Sequence, residues 1–163
     1  MDVEVIRSAR RRKTVSARTV DGVLRVSIPA TMTAEEEAHW VGEMSRRVAR
    51  RQRSDAIDLD ARARALARRH QLPEPTSIRW VDNQRSRWGS CTPADGSIRL
   101  SSRLAGFPPW VVDYVVVHEL AHLVEPGHGP AFHALTARYP RAERAIGFLL
   151  AKGIGPEEPS ERE

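Results

Sequence analysis

Hydrophobic and polar residues alternate along the first part of the chain in a pattern that predicts a β-hairpin. On either side of the Asp21-Gly22 pair, apolar side chains recur at every second position, over residues 15–19 and 24–28. An Asp-Gly pair between two alternating runs is typical of a tight hairpin turn. Pro29 then ends the second run.

After this hairpin the apolar spacing lengthens to three and four residues, which predicts a helix over about residues 33–53. Thr33 and Glu36 have the spacing of a capping box at its start. A second helix is predicted to follow, with Ser54 or Asp55 as its N-cap, and to end before the next prolines.

The second half of the chain returns to strands and then to helices. Alternation over residues 76–80 predicts a strand, and the Asp95-Gly96 pair predicts another hairpin, which places residues 85–91 on a strand. An apolar stretch over residues 110–123 follows two prolines and predicts a helix, because proline is favoured in a first helical turn. Two shorter helices, separated by Pro140, are expected after it.

Together these elements predict an α+β fold, in which a small antiparallel or mixed sheet packs on helices and the helix over residues 110–123 is central. We expect residues 1–154 to form a single domain. Its first half, residues 1–75, contains the basic hairpin and helices, and its second half, residues 76–154, contains the candidate site. The Pro/Glu-rich acidic tail over residues 155–163 is expected to be disordered.

Composition and charge indicate where the protein is located and which kinds of partner it could bind. The 163 residues carry a net charge of +5, which comes almost wholly from arginine, and the arginines cluster at residues 10–13 and 46–53. A basic surface of this kind permits contact with phosphate or with an acidic partner. A single cysteine, Cys91, and no apolar run near the length of a membrane span predict a cytoplasmic protein without a membrane partner.

The informative motif lies inside the predicted apolar helix, where His118, Glu119 and His122 form the spacing H-E-x-x-H. The two histidines are one helical turn apart, so both imidazoles leave the same face and can meet one metal ion. Glu119 is rotated by about 100 degrees from His118, so it can reach a water on that ion rather than the ion itself. We therefore expect Zn²⁺ at this position and Glu119 as the general base.

A catalytic zinc ion normally takes three protein ligands and leaves its fourth position to water. His128 is the best candidate for the third ligand, because Pro126 and Gly127 end the helix and let the chain turn back. Four rivals remain open. They are Glu125, which we expect still on the helix, His133 on the next helix, Glu143 and the more weakly supported Cys91.

Three runs of residues resemble the YgjP-like zinc metallopeptidases, which are relatives of the SprT-type proteases. The runs are Arg85-Ser86-Arg87-Trp88-Gly89-Ser90-Cys91, the stretch from Asp113 to Leu123, and His128 with Phe132. The resemblance implies a zincin-type α+β domain with His118, His122 and His128 as zinc ligands and Glu119 as the catalytic acid/base. It covers about residues 76–140. The chain departs from it at Phe132-His133, where many relatives have Phe-Trp.

The first of these runs also suggests where a substrate would bind. We expect an edge strand beside the metal, to which an extended peptide could add through main-chain hydrogen bonds. The candidate substrate-binding residues are Arg85, Arg87, Trp88 and Ser90. The alternative interpretation is that Trp88 belongs to the core and that the two arginines are solvated.

Three functions are consistent with these residues. The leading hypothesis is a zinc-dependent metallopeptidase that cleaves a peptide or protein substrate. A second is a metal-dependent nucleoside triphosphate (pyro)phosphohydrolase, in which the same activated water attacks phosphorus. A third is a basic module that binds nucleic acid or cleaves nucleic-acid-associated proteins, and it rests on the two arginine clusters.

Overall fold

The computed structural model describes residues 2–153. Over these residues the chain forms six β-strands, five α-helices and one 3₁₀ helix, which confirms the predicted α+β class. The strands form two separate three-stranded mixed sheets rather than one. The predicted disordered tail over residues 155–163 lies outside the described residues.

The chain separates into two compact units on either side of Gln52 and Arg53. One buried hydrophobic cluster lies within the first unit and a larger one within the second. The sequence instead placed the division between the two halves after residue 75. That residues 1–154 act as a single metallopeptidase domain stays a prediction.

The first unit contains the predicted hairpin and one unpredicted strand. Its elements are β1 (Val3–Ser8), β2 (Ser16–Val20), β3 (Val23–Pro29) and most of α1 (Ala34–Asp55), whose last three residues lie beyond the division. β2 pairs antiparallel with β3, and β1 pairs parallel with the other edge of β3. Asp21 and Gly22 have φ values of 51° and 80°, as a tight turn with two left-handed residues requires. The hairpin is therefore confirmed, whereas β1 carries too many exposed residues to show a clear alternation.

The capping box predicted at Thr33 is present at the start of α1. The Thr33 backbone N–H donates to the Glu36 carboxylate at 2.8 Å, and the Glu36 N–H donates to the Thr33 hydroxyl at 3.2 Å. Two N–H groups that the helix itself leaves without partners are thereby satisfied. The apolar side of α1 packs on the buried side chains of β3, which are Leu24, Val26 and Ile28.

The second unit begins after this division and carries the candidate site. Its elements are α2 (Leu59–His70), β4 (Ser77–Val81), β5 (Gly89–Thr92), β6 (Ser97–Ser101), a 3₁₀ helix (Ser102–Gly106), α3 (Pro109–Ala121), α4 (Pro130–Thr136) and α5 (Ala142–Ala151). The strand order is β4-β6-β5, with β4 parallel and β5 antiparallel to β6. In this sheet β5 is therefore an edge strand.

Two predicted boundaries in this unit are wrong. The N-cap of α2 is Asp58, whose side chain accepts from the Ala61 N–H at 2.9 Å, and not Ser54 or Asp55, which lie within or at the end of α1. The predicted strand over residues 85–91 begins only at Gly89. Residues 85–88 form an irregular connection, because the guanidinium of Arg103 binds backbone carbonyls there.

The central helix of the second unit is α3, as predicted. Ten of its 13 residues are buried, and Pro109 occupies its first turn. Five of its residues are valine, which has only modest helix propensity because its branched side chain loses rotamer freedom in a helix. Burial on all sides explains why the helix forms nevertheless. No helix in residues 2–153 is both long and apolar enough to cross a membrane.

Candidate metal centre

The H-E-x-x-H motif lies at the end of α3. His118 and Glu119 are in its last turn and are 3% and 5% exposed. His122 is the residue that follows the helix, and it keeps a helical backbone conformation. The one-turn spacing therefore places the rings of His118 and His122 side by side, with centroids 5.0 Å apart.

His128 joins these two histidines because the chain reverses direction after α3. The Nε2 atom of His128 lies 3.1 Å from the Nε2 atom of His122. One ring nitrogen from each of His118, His122 and His128 lies within 4.8 Å of the others. The three side chains that the sequence proposed as ligands are thus brought together, and they could hold a metal ion.

The surroundings orient the histidine rings. The Nδ1 atom of His122 lies 3.0 Å from the Glu125 carbonyl oxygen, to which its N–H can donate, which leaves the Nε2 lone pair facing His128. Phe132 of α4 packs on all three rings, with centroid distances of 4.8, 4.4 and 4.8 Å to His118, His122 and His128. Because Phe132 is only 1% exposed, it forms a buried apolar backing for the cluster.

Burial favours the neutral form of two of the three histidines, His118 and His122. Burial is the main reason that the pKa of His118 is lowered to about 3, and the neighbouring His122 and His128 rings contribute to the same shift. Burial also lowers the pKa of His122 below its ordinary value. Neutral imidazole is the form that binds a metal ion, because only this form has a free lone pair.

Two observations fit a divalent cation in this cluster. The Nδ1 atom of His118 is buried and has no hydrogen-bond partner within residues 2–153, so the protein leaves part of this ring unsatisfied. A buried polar group without a partner is destabilising unless a ligand completes it. The 3.1 Å between the two Nε2 atoms is also close to the ~3.3 Å expected for two nitrogens that bind one tetrahedral zinc ion at 2.0–2.1 Å.

The rival ligands do not join this group in the part of the chain that the structure describes. Glu125 lies beyond α3 rather than on it, and its backbone carbonyl is the atom that contacts His122. His133 is exposed on α4, and Glu143 is exposed on α5. Cys91 lines the neighbouring cavity, but burial and the Glu119 carboxylate raise the pKa of its thiol to about 11. This thiol is therefore protonated near neutral pH.

A cavity of about 250 Å³ opens beside the three histidines. Val115, His118, Glu119 and His122 of the α3 segment form part of its lining, and Gly89, Ser90 and Cys91 of β5 form another part. Gly89 lies against the Glu119 side chain, since a Cβ atom on this residue would be 2.8 Å from Cδ of Glu119 and 2.9 Å from its Cγ. Only glycine leaves room here for the carboxylate.

The four candidate substrate-binding residues are placed differently from one another. Trp88 lines the cavity but is 5% exposed, and its ring packs edge-on against Phe107. Ser90 lines the cavity, and its hydroxyl accepts a hydrogen bond from the Gln84 side chain at 2.7 Å. Arg85 and Arg87 are exposed on the connection before β5, and Arg87 also lines the cavity.

Four further residues that shape the site had no role in the sequence analysis. They are Gln84, Gly89, Arg103 and Phe132. Phe132 and Gly89 each fall within a run that carries the family resemblance, so the signal was present but unassigned. Arg103 gave no signal, because it acts on carbonyls 16–19 positions earlier in the chain.

Comparisons with known proteins agree with this geometry. The chain matches the family described as YgjP-like, metallopeptidase domain, over residues 12–145. Among solved structures it is similar to the crystal structure of the metallopeptidase zymogen of Pyrococcus abyssi abylysin, with a TM-score of 0.51 and 18% sequence identity. That similarity covers 56% of this chain and 91% of the abylysin chain, and at this identity it concerns the fold. No curated protein matches the chain.

The match extends over most of the chain and includes all three histidines and the glutamate between the first two. The fold of the archaeal metallopeptidase supports the zincin-like architecture predicted from the sequence. The chain therefore belongs to the YgjP-like metallopeptidase family, whose members are metal-dependent hydrolases.

Proposed function

We propose that this protein hydrolyses peptide bonds with a zinc ion held by His118, His122 and His128, and with Glu119 as the general base. The observation that carries the proposal is the convergence of three histidine rings beside a carboxylate in one cavity. Three nitrogen ligands and one open position are the ligand set of a catalytic zinc site.

When bound, zinc would lower the pKa of a coordinated water to about 7 and polarise the substrate carbonyl. The protein's own residues would supply the rest. Glu119 would accept the proton of the attacking water and pass it to the leaving amine, which requires its carboxylate to stay within hydrogen-bond reach of both. Gly89 would keep Glu119 in place, because it lets β5 pack directly on this side chain.

The substrate would bind along β5. This strand pairs with β6 on one side and is the edge of its sheet in the described chain. Three of its residues, Gly89–Cys91, line the cavity beside the histidines. An extended peptide that added to this edge would form main-chain hydrogen bonds with β5 and bring one of its own carbonyls toward the metal. Trp88 and Ser90 would contribute the cavity wall on that side.

The test compares the parent with Glu119→Gln and His122→Ala, by measuring zinc content and the hydrolysis of casein. Glu119→Gln should retain zinc and lose about 10²- to 10⁴-fold in turnover, the range that a general acid–base group contributes. His122→Ala should lose zinc and activity together. Glu125→Gln is the matched control, because it changes a nearby carboxylate whose side chain does not line the cavity. Parent-like hydrolysis by Glu119→Gln would contradict the proposal.

The two other functions suggested by the sequence stay predictions. Release of phosphate from a panel of nucleotides by the zinc-loaded parent would test nucleotide hydrolysis. Binding of nucleic acid that weakens steeply with salt would test the third function, because each neutralised phosphate releases counterions.

A further inference from the structure

A second cavity, of about 290 Å³, lies beside the metal-site cavity and has a different character. Three arginines, Arg85, Arg87 and Arg99, line it together with uncharged polar residues, and no carboxylate lines it. We call it the arginine pocket. Three cationic groups around one space without an acid create a positive potential that attracts an anion.

The arginine pocket is continuous with the proposed site of cleavage. Arg87, Ser90 and Cys91 line both cavities, so the two cavities share a wall that is formed by β5 and the connection before it. β5 has four residues, and an extended chain rises about 3.3 Å per residue. A peptide bound along this edge would therefore place a side chain over the arginine pocket within about three residues of the bond at the metal.

The arginines of this pocket are not neutralised by acids of the described chain. No ion pair to an acid is formed by Arg85, Arg87 or Arg99 in residues 2–153, although the exposed Asp95 interacts electrostatically with Arg99. Arg99 also lies directly opposite Arg79 in the pairing of β6 with β4. A second positive charge on the neighbouring strand therefore adds to the positive potential around Arg99.

The connection that carries Arg85 and Arg87 is held in place by groups other than their own guanidinium groups. Nη2 of Arg103 donates to the carbonyls of Gln84, Arg85 and Arg87 at 3.1, 3.0 and 3.4 Å. Gln84 lines the arginine pocket, and its Oε1 atom is buried without a hydrogen-bond partner in the described residues. This oxygen is an acceptor, so a water molecule in the arginine pocket would satisfy it, whereas a carboxylate would not.

We propose that the arginine pocket binds a carboxylate side chain of the substrate, so that the enzyme prefers peptides with Asp or Glu within about three residues of the cleaved bond. This proposal rests on the proposed peptidase function. A peptide carboxylate is favoured over a phosphate because the pocket adjoins the strand edge at which a peptide would lie.

The experiment measures binding rather than turnover, in the zinc-loaded Glu119→Gln protein. Two fluorescent peptides of equal length are compared by anisotropy, one with glutamates along its centre and one with glutamines at the same positions. The glutamate peptide should bind about tenfold more tightly, as expected for a charge-assisted hydrogen bond, and added salt should reduce this preference. Arg85→Gln and Arg99→Gln should each remove most of it.

Arg69→Gln is the matched control, because it removes one exposed arginine of α2 that lines neither cavity. It should leave the preference unchanged, and thermal melting should show that all variants fold. Equal affinity of the Glu119→Gln protein for the two peptides would overturn the proposal, as would a preference that survives loss of both Arg85 and Arg99. Tight binding of a nucleoside triphosphate without any preference for glutamate would also overturn it, in favour of a phosphate ligand.

The experiments distinguish failure of the carboxylate site from failure of the proposed peptidase function. If the zinc-loaded parent cleaves no peptide but the glutamate preference depends on Arg85 and Arg99, the peptidase proposal falls and the carboxylate site is retained. If casein is cleaved and no preference exists, the carboxylate site falls and the peptidase proposal is retained.

Discussion

The two sheets of this protein have the same topology but differ in chemistry. In each, the third strand is central, the second strand pairs with it antiparallel through a hairpin, and the first strand pairs with it parallel. The first sheet is followed by α1, and the second is followed by a 3₁₀ helix and then α3. The histidine cluster belongs to the second unit, where β5 of the second sheet lies beside it. A shared arrangement of strands therefore does not make a site, which depends on the residues placed around it.

The connections between the first two strands show where the sheets diverge. In the first sheet, residues 9–15 are basic and mostly exposed. In the second sheet, residues 82–88 include the buried Gln84 and Trp88 and are bound by Arg103. Both connections are rich in arginine, but only the second has a set of hydrogen bonds that fixes arginines beside a cavity.

The helices that follow the two sheets also differ, in how much of their surface is buried. α1 has a single buried residue, Ser54, and most of its surface is polar. α3 is buried at ten of 13 positions, so its histidine and glutamate are held by packing on all sides. Reactive groups need this restraint, because a displacement of about 1 Å can reduce a rate by about 10²-fold.

Among the changes that test the difference between the two sheets, we expect Gly89→Ala to have the largest effect, which is a loss of activity. The new Cβ would lie 2.8 Å from Cδ of Glu119, so the buried carboxylate would have to move. We expect casein hydrolysis to fall by about 10²-fold, as for other small displacements of a catalytic group. Zinc content should stay at the parent level, because the three histidines keep their positions.

Gly147→Ala is the control for this change. A Cβ on Gly147 in α5 would meet no atom within 4 Å, and alanine has the higher helix propensity. This variant should keep full activity and be slightly more stable. If Gly89→Ala were as active as Gly147→Ala, packing of β5 on Glu119 would be irrelevant to catalysis.

The features predicted correctly from the sequence are local ones. The two hairpins follow from Asp-Gly turns between alternating residues, and the grouping of His118 with His122 follows from one helical turn. The chain reversal that brings His128 back to His122 takes place within the six positions that separate them. In each case the interacting residues are near one another in the chain.

The features that the sequence did not reveal depend on distant residues. β1 pairs with β3, about 20 positions later, and the strand expected from residue 85 begins at Gly89 because Arg103 binds the preceding carbonyls. The contact of Gly89 with Glu119 joins residues 30 positions apart. Periodicity contains no information on such pairs, since each residue alone fits several surroundings.

An intermediate effect is expected from Arg103→Ala compared with Arg25→Ala in the first sheet. Arg103 binds three carbonyls and stacks 4.5 Å from the Trp88 ring, so its loss should reduce the free energy of unfolding by about 2 kcal/mol. Arg25 pairs with an exposed carboxylate of Glu4, and its loss should cost less than about 1 kcal/mol. Urea unfolding followed by tryptophan fluorescence measures both. Equal losses in the free energy of unfolding would show that Arg103 does not stabilise the connection over residues 82–88.

The smallest expected effect is a change of stability with pH, and it follows from the different burial of histidines in the two units. His39 of α1 is exposed, whereas burial lowers the pKa of His118 to about 3. When the metal-free protein is acidified below about pH 6.5, unfolded chains bind a proton at His118 that folded chains do not. Stability is therefore fully present above that pH and falls on acidification, by about 1 kcal/mol from His118 alone between about pH 7 and about pH 5.5.

His122 and His70, whose pKa values burial also lowers, should add to this loss. Urea unfolding at the two pH values measures the total, and two variants separate its sources. His118→Gln should reduce the pH dependence of unfolding, because glutamine does not titrate, while His39→Gln should leave it unchanged. If both variants kept the parent's dependence, the cluster would not be the origin of acid sensitivity, and the buried histidines would not distinguish the second unit from the first.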